Sequence, residues 1–177
     1  HLKPHLLGQD PHNIEYLWQK MLRGDFFPGG RINAAAISAI DIALWDIKGK
    51  ALDQPIHMLL GGRLRERVPC YTGIGGGTPE QAAGQACEKK AEGFRYLRLE
   101  VRPRDGILEP SQAVRDAVAE FAAVRDAVGE DVELCIDVHT RLDPPDAIRL
   151  GRLLEPYAPY FIEDPLRCEN PQTYRLV

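Results

Sequence analysis

The fold is decided by residues 94–139, FRYLRLEVRPRDGILEPSQAVRDAVAEFAAVRDAVGEDVELCIDVH, in which two strand-like segments flank one helix-like segment. The predicted strands are Phe94–Val101 and Val132–His139, and both alternate side chains of different polarity. A helix is predicted between them from about Ser111 to Val128, because apolar residues recur there at helical spacing before Gly129. A strand, a helix and a second strand in this order predict parallel strands joined by a crossover helix.

The same alternation extends through the second part of the chain. The further predicted elements are a strand at Pro69–Ile74, a helix from Thr78 to about Glu92, a helix from about Pro145 to Leu154, a strand at Tyr160–Glu163 and the start of a helix from Asn170. Four such strands make half of an eightfold β/α barrel or most of a doubly wound sheet. A whole barrel needs about 250 residues, so this chain of 177 residues predicts either an open sheet or a piece of a larger protein.

The first part of the chain is predicted to be helical. A first helix is expected after Pro11, with Asp10 as its N-cap, and it should end before the cluster Pro28-Gly29-Gly30. A longer helix is predicted from about Asn33 to Leu52, since its apolar residues form one stripe. No strand is predicted in this part, which therefore differs in class from the part that follows.

Composition and cysteine spacing exclude some partners. Lys and Arg total 22 against 26 Asp and Glu, a net charge of −4 with no basic block, so no nucleic-acid partner is expected. No apolar run approaches the ~20 residues that a membrane helix needs, so no membrane partner is expected. Cys70, Cys87, Cys135 and Cys168 are far apart and form no C-x-x-C pair, which predicts reduced thiols in a cytoplasmic protein.

Polar side chains follow three neighbouring strands of the predicted sheet. They are Arg98 and Glu100 on the second strand, Asp137 and His139 on the third, and Glu163 on the fourth. The carboxyl ends of parallel strands are where β/α folds build their sites. Carboxylates from successive strands suit Mg²⁺ or another hard divalent ion, and a histidine beside them suits acid–base catalysis. The alternatives are exposed loop residues and, for Arg98 with Glu100, an ion pair between layers of the sheet.

Several motifs resemble the enolase superfamily, in its mandelate racemase and muconate lactonizing branch. They are AISAIDIALWDIKGKA at 36–51, LLGGR at 59–63, IDVHTR at 136–141, LEPY at 154–157 and FIEDP at 161–165. The last three are similar to the acid-sugar dehydratases of that branch, of the galactonate type. The resemblance implies that residues 1–68 are the helical part of an α+β capping domain. Residues 69–177 would then be the first half of a TIM-type β/α barrel, within a longer protein.

The resemblance also implies a reaction, which is dehydration of an aldonate or aldarate to a 2-keto-3-deoxy acid through an enediolate. The cofactor would be Mg²⁺, and the family's metal ligands would fall on Asp137 and Glu163. The histidine of the Asp-x-His arrangement, His139, would protonate the departing hydroxyl. A third metal-binding carboxylate and the base that removes the α-proton would lie beyond Val177. The partner is thus a small sugar acid, and the branch commonly forms homo-oligomers.

One departure from the family bears on the reaction. Racemases of the branch carry a Lys-x-Lys pair at the end of the second barrel strand, where this chain has Arg98 and Glu100. Glu100 cannot replace a lysine base in the same way, whereas Arg98 could hold a substrate carboxylate. Both are therefore predicted to bind substrate. A racemase or epimerase of the same superfamily, a catalytically incomplete fragment and a non-catalytic binding domain remain as alternatives.

Overall fold

A computed structural model describes residues 1–24, 26, 29–103 and 106–177 of the chain. The chain divides into two compact units, His1–Arg67 and Val68–Val177. That division lies one residue before the predicted one at 68/69, and the assignment of the first unit to a capping domain stays a prediction. Pro28, in the predicted break between the first two helices, lies outside the described residues.

The first unit consists of helices around small apolar cores. They are α1 (Lys3–Leu6), α2 (Ile14–Arg23), α3 (Gly30–Ala51) and α4 (Ile56–Leu59). Met21 of α2 and Ile37 of α3 are buried in one cluster. Leu17 of α2 and Leu44 of α3 are buried in a second cluster. The stripes that predicted these two helices are therefore the faces that pack against each other.

The predicted start of α2 is wrong. The carboxylate of Asp10 accepts a hydrogen bond from the backbone N–H of His12, at 2.9 Å, and does not cap the helix. The helix begins at Ile14, after Asn13. An aspartate readily forms such a local turn with the residue two positions on, and this turn competes with the N-cap. The α3 helix begins at Gly30, three residues before the predicted Asn33, so Gly30 belongs to the helix and not to the predicted break.

The second unit confirms the alternation of strands and helices. The strands are β1 (Thr72–Gly73), β2 (Tyr96–Glu100), β3 (Glu133–Asp137) and β4 (Phe161–Glu163). The helices are α5 (Pro79–Ala91), α6 (Pro110–Val128) and α7 (Pro144–Leu154), with 3-10 helices at Glu155–Tyr157 and Pro171–Leu176. The strands are parallel, and their order in the sheet is β1-β2-β3-β4. A doubly wound sheet reverses its strand order, so the unreversed order is that of a partial β/α barrel.

Local sequence signals account for the ends of the helices. Thr78 caps α5 by accepting a hydrogen bond from the N–H of Gln81, at 3.3 Å. The carboxylate of Glu109 caps α6 by accepting from the first N–H groups of that helix. Gly129 then ends α6 with a φ of 72°, a left-handed conformation that glycine adopts without steric cost.

The two faces of β3 have different environments, as its alternating sequence predicts. Leu134 and Ile136 belong to a buried core that includes Phe121 and Val124 of α6. Cys135 and Asp137 point to the opposite face. That face is therefore the one that carries polar groups toward the end of the strand.

The sheet is shorter at its edge than predicted. β1 covers only Thr72–Gly73 of the predicted 69–74, and its residues pair with Leu97 and Arg98 of β2. A strand with one neighbour has a single ladder of hydrogen bonds to define it, and Pro69 has no N–H to donate. Among the described residues, no helix combines the length and the apolar character that crossing a membrane requires.

Candidate active site

Strand register brings the predicted site residues to one edge of the sheet. Glu100 of β2 is the Cα partner of Asp137 of β3, and Asp137 is the partner of Glu163 of β4. Adjacent strands lie about 4.8 Å apart, so the three carboxylates stand in one row across the carboxyl ends. Arg98 and His139 also reach this row, because both contact Oδ2 of Asp137. The structure thus brings together all five residues that the sequence singled out.

Asp137 lies at the centre of the cluster. It is 3% exposed, and its Oδ1 accepts a hydrogen bond from the backbone N–H of His139 at 2.9 Å. Its Oδ2 accepts from Nη1 of Arg98 and lies 3.1 Å from Nε2 of His139. A buried carboxylate is stable only when such donors replace its water. Both oxygens of Asp137 are therefore occupied by groups of this chain.

Arg98 links the carboxylates. Its Nη2 donates to Oε1 of Glu100 at 2.9 Å, and its Nη1 lies 4.0 Å from Oε2 of Glu163. The guanidinium also lies over the ring of Tyr71, with 5.6 Å between Cζ and the ring centre. The ion pair of Arg98 with Glu100 therefore exists, but it is one part of a larger cluster. Tyr71 was missed by the sequence analysis, since nothing in its own segment marks it as a site residue.

Unusual backbone geometry follows β3 and β4. His139 and Thr140 have φ values of 54° and 57°, and Asp164 has a φ of 45°. Few non-glycine residues adopt this left-handed region, and they concentrate at functional sites. The N–H of Val138 donates to the carbonyl of Glu163 at 3.0 Å, and the N–H of Thr140 donates to that of Asp164 at 2.9 Å. These bonds hold the two strand ends together and fix the position of His139.

The carboxylate oxygens suit a divalent cation in type. Oε2 of Glu163 is buried and has no hydrogen-bond partner among the described residues. Such an oxygen gains from a cation, and Mg²⁺ prefers carboxylate and water ligands in octahedral geometry. The described residues contain no group of three His, Cys, Asp or Glu side chains that could hold a metal. The unpartnered oxygen of Glu163 fits a cation, whereas Oδ2 of Asp137 accepts a hydrogen bond from Arg98, so the pair stays a predicted set of two Mg²⁺ ligands.

Cys135 lies two residues before Asp137 on the same face but differs from it chemically. It is 2% exposed, and its Sγ–H donates to the carbonyl of Leu97 at 3.4 Å. Burial, with the charge of Glu163 as a second cause, raises the pKa of this thiol to about 11. A neutral buried thiol is a poor metal ligand and a poor nucleophile. Cys135 therefore acts as a packing residue under the carboxylates.

We expect Cys135 to resist alkylation in the native protein. Iodoacetamide should modify it about 100-fold more slowly than in concentrated guanidinium chloride, because the folded sheet excludes the reagent and keeps the thiol neutral. Cys70, which is an exposed free thiol, is the internal control. Peptide mass spectrometry over time measures both rates. Equal native rates at the two cysteines would contradict the burial of Cys135.

Two family models match consecutive parts of the chain. Residues 1–61 match the model described as the mandelate racemase/muconate lactonizing enzyme N-terminal domain. Residues 81–177 match the model described as enolase C-terminal domain-like. The matched ranges follow the order of the two compact units.

Curated relatives are similar over nearly all of the chain. D-galactonate dehydratase of Ralstonia nicotianae is 43% identical over 173 residues, which are 98% of this chain and 45% of that protein. D-galactonate dehydratase of Pectobacterium atrosepticum is 41% identical over the same shares. The chain therefore spans about half the length of the curated relatives that it matches.

Solved structures are similar in fold as well as in sequence. An enolase superfamily member from Salmonella Typhimurium aligns with a TM-score of 0.87 and 35% identity, over 99% of this chain and 51% of that one. An enolase from Pantoea ananatis, solved with bound D-gluconate and Mg, aligns with a TM-score of 0.83 and 30% identity, over 98% and 49%.

Proposed function

Since this chain belongs to the mandelate racemase/muconate lactonizing enzyme family of enolase-like proteins, we propose that the whole protein dehydrates a sugar acid. The substrate class is an aldonate or aldarate, and the product is a 2-keto-3-deoxy acid. The observation that carries the proposal is the row of carboxylates with His139 beside it. The relatives named D-galactonate dehydratase and the neighbour that holds D-gluconate and Mg support the substrate class.

The proposed reaction removes one molecule of water from the substrate. A base takes the proton from the carbon next to the substrate carboxylate, and the hydroxyl on the following carbon leaves with one added proton. The electron pair of the broken C–H bond forms the double bond of an enol. This enol takes up a proton on the carbon that lost the hydroxyl and releases the proton of its own O–H, which gives the ketone, so that no oxidant or reductant is needed.

Asp137 and Glu163 are the residues that would hold Mg²⁺. When bound, Mg²⁺ supplies Lewis-acid stabilisation of the negative charge that builds up on the substrate carboxylate. His139 would give the proton to the departing hydroxyl. Its ring is only partly enclosed, with 39% of the side chain exposed, so a substrate can approach it. Its contact with Asp137 orients the imidazole, which a general acid requires.

Arg98 and Glu100 are proposed to bind the substrate. The guanidinium of Arg98 presents several N–H donors in one plane, and such a group pairs well with a carboxylate. Glu100 lies 2.9 Å from Arg98 and offers oxygens that accept hydrogen bonds from sugar hydroxyls. An ion-paired glutamate at this position does not favour the racemase alternative, which in this branch uses a lysine there.

Removal of the metal gives the direct test of the proposed function. We expect the whole protein to form a 2-keto-3-deoxy acid from one or two members of a panel of aldonic and aldaric acids. Activity should fall to background with EDTA, because without metal the charge on the substrate carboxylate is not stabilised. Activity should return when Mg²⁺ is added. The product is measured by its reaction as an α-keto acid.

The other outcomes favour the alternatives. Exchange of the α-proton with deuterated water, without loss of water, would favour a racemase or epimerase. Neither product nor exchange from any acid, with no Mg²⁺ bound, would favour a non-catalytic domain. The cytoplasmic location and the homo-oligomeric state stay predictions. Size-exclusion chromatography of the whole protein measures the oligomeric state.

A further inference from the structure

Arg98 is the cation that lies among the carboxylates of the described site. Its guanidinium contacts Asp137 and Glu100 directly and lies 4.0 Å from Glu163. The side chain of Arg98 is 21% exposed and that of Asp137 is 5% exposed, so water screens their attraction poorly. Without this cation, three neighbouring carboxylates would repel one another across the strand ends.

We propose that Arg98 is an internal counter-cation, which competes with the divalent ion for Asp137 and Glu163. This inference rests on the proposed metal site and goes beyond it. Oδ2 of Asp137 already accepts a hydrogen bond from Nη1 of Arg98. An ion that takes this oxygen must displace the guanidinium, or at least move Nη1 away. The free energy of that displacement lowers the affinity of the site for metal when no substrate is present.

The contacts of Arg98 allow such a movement. Its Nε has no hydrogen-bond partner among the described residues, so no hydrogen bond at Nε holds the guanidinium in place. Its contact with Glu100 uses Nη2, and its contact with the ring of Tyr71 is made by the guanidinium plane, so neither depends on Nη1 and both can persist after Nη1 moves. Arg98 would then be free on one side to pair with the substrate carboxylate. Substrate and metal would each strengthen the binding of the other, since such coupling is reciprocal.

The test is the affinity of the whole protein for Mn²⁺ in the absence of substrate. We expect Arg98→Met to bind Mn²⁺ about tenfold more tightly than the wild type, because the competing charge is gone. Arg98→Lys keeps the charge and should stay within about threefold of the wild type. Titration followed by electron paramagnetic resonance measures free Mn²⁺, and therefore gives the affinity without any measurement of turnover.

Arg102→Met is the matched control. Arg102 lies two residues after the same strand, and its guanidinium pairs with Glu120 at 3.0 Å. Its loss should change the Mn²⁺ affinity by less than about threefold. A further readout is the melting temperature. Metal-free Arg98→Met should melt below the wild type, and Mn²⁺ should raise its melting temperature more than that of the wild type.

Equal or weaker binding of Mn²⁺ by Arg98→Met would overturn the inference. Should this variant fail to fold, Arg98→Gln keeps hydrogen-bond donors without the charge and gives the same comparison. Failure of the proposed function is seen separately, as the absence of product from wild-type protein that is saturated with Mg²⁺. A wild type that forms product, together with an unchanged affinity in both uncharged variants, would overturn the counter-cation role alone.

Discussion

Replacing His139 by asparagine in the whole protein is expected to lower kcat for dehydration by about 10³-fold. Asparagine tolerates the left-handed backbone at this position, and Asp137 keeps its hydrogen bonds from Arg98 and from the backbone N–H of residue 139. It cannot release a proton to the departing hydroxyl, and hydroxide is a poor leaving group without one. KM should change much less than kcat, because the proton transfer occurs only in the transition state.

Three measurements separate this role from a structural one. Mn²⁺ affinity should be retained in the variant, since Asp137 and Glu163 are unchanged. Exchange of the α-proton with deuterated water should also continue, because another group removes that proton. The matched control is His57→Asn, an exposed histidine of the first unit that should leave kcat unchanged. Unchanged turnover in His139→Asn would refute the acid role, and loss of Mn²⁺ binding would indicate a structural role instead.

The location of the site could be predicted because two rules for strands are local. Side chains alternate along a strand, which separates Leu134 and Ile136 from Asp137 without any knowledge of the fold. Parallel neighbours end at the same edge, which brings Glu100 and Glu163 beside Asp137 once the order of strands is known. The alternation of strands and helices leaves that order open between a barrel and a doubly wound sheet, and only the resemblance to the enolase superfamily favours the barrel order that the structure shows. The site was thus predictable as a set of residues.

The detailed geometry was not predictable, because it depends on contacts between distant segments. The contact of Tyr71 with Arg98 joins the residue before β1 to β2, and no periodicity in the sequence predicts it. The left-handed backbone at His139 and Thr140 is held by bonds to the segment after β4. Asp10 was wrongly predicted to cap α2, because its carboxylate can either cap the helix or form the turn with His12, and the two compete. Such competition is decided by small differences in free energy.

Replacing Arg125 of α6 by methionine is expected to cause a large loss of stability. Its guanidinium donates hydrogen bonds to four backbone carbonyls. These are Gly129 at 2.8 Å, Val132 at 2.7 Å, Tyr157 at 3.1 Å and Ala158 at 3.2 Å. Methionine keeps the apolar stem but leaves these acceptors without the charged donor. We expect a loss of about 3 kcal/mol in the free energy of unfolding.

The matched control lies on the same helix. Arg115 is exposed and donates to the nearby Gln112 at 2.7 Å, so Arg115→Met should cost less than about 0.5 kcal/mol. Urea unfolding of the protein, followed by circular dichroism of the backbone, compares the two variants with the wild type. Equal urea midpoints for Arg125→Met and Arg115→Met would show that water replaces Arg125 as the donor to these carbonyls without loss of stability.

The contacts of Arg125 also connect stability with the site. The carbonyls that it binds lie in the segments that lead into β3 and β4, and these strands end at Asp137 and Glu163. Arg125→Lys should therefore lose an intermediate amount of stability, because one ammonium cannot reach four carbonyls in two segments. If the segments shift, the two carboxylates lose their register, so Mn²⁺ affinity should fall together with stability in this series. Lower stability with unchanged Mn²⁺ affinity would mean that the paired strand ends keep their register without Arg125.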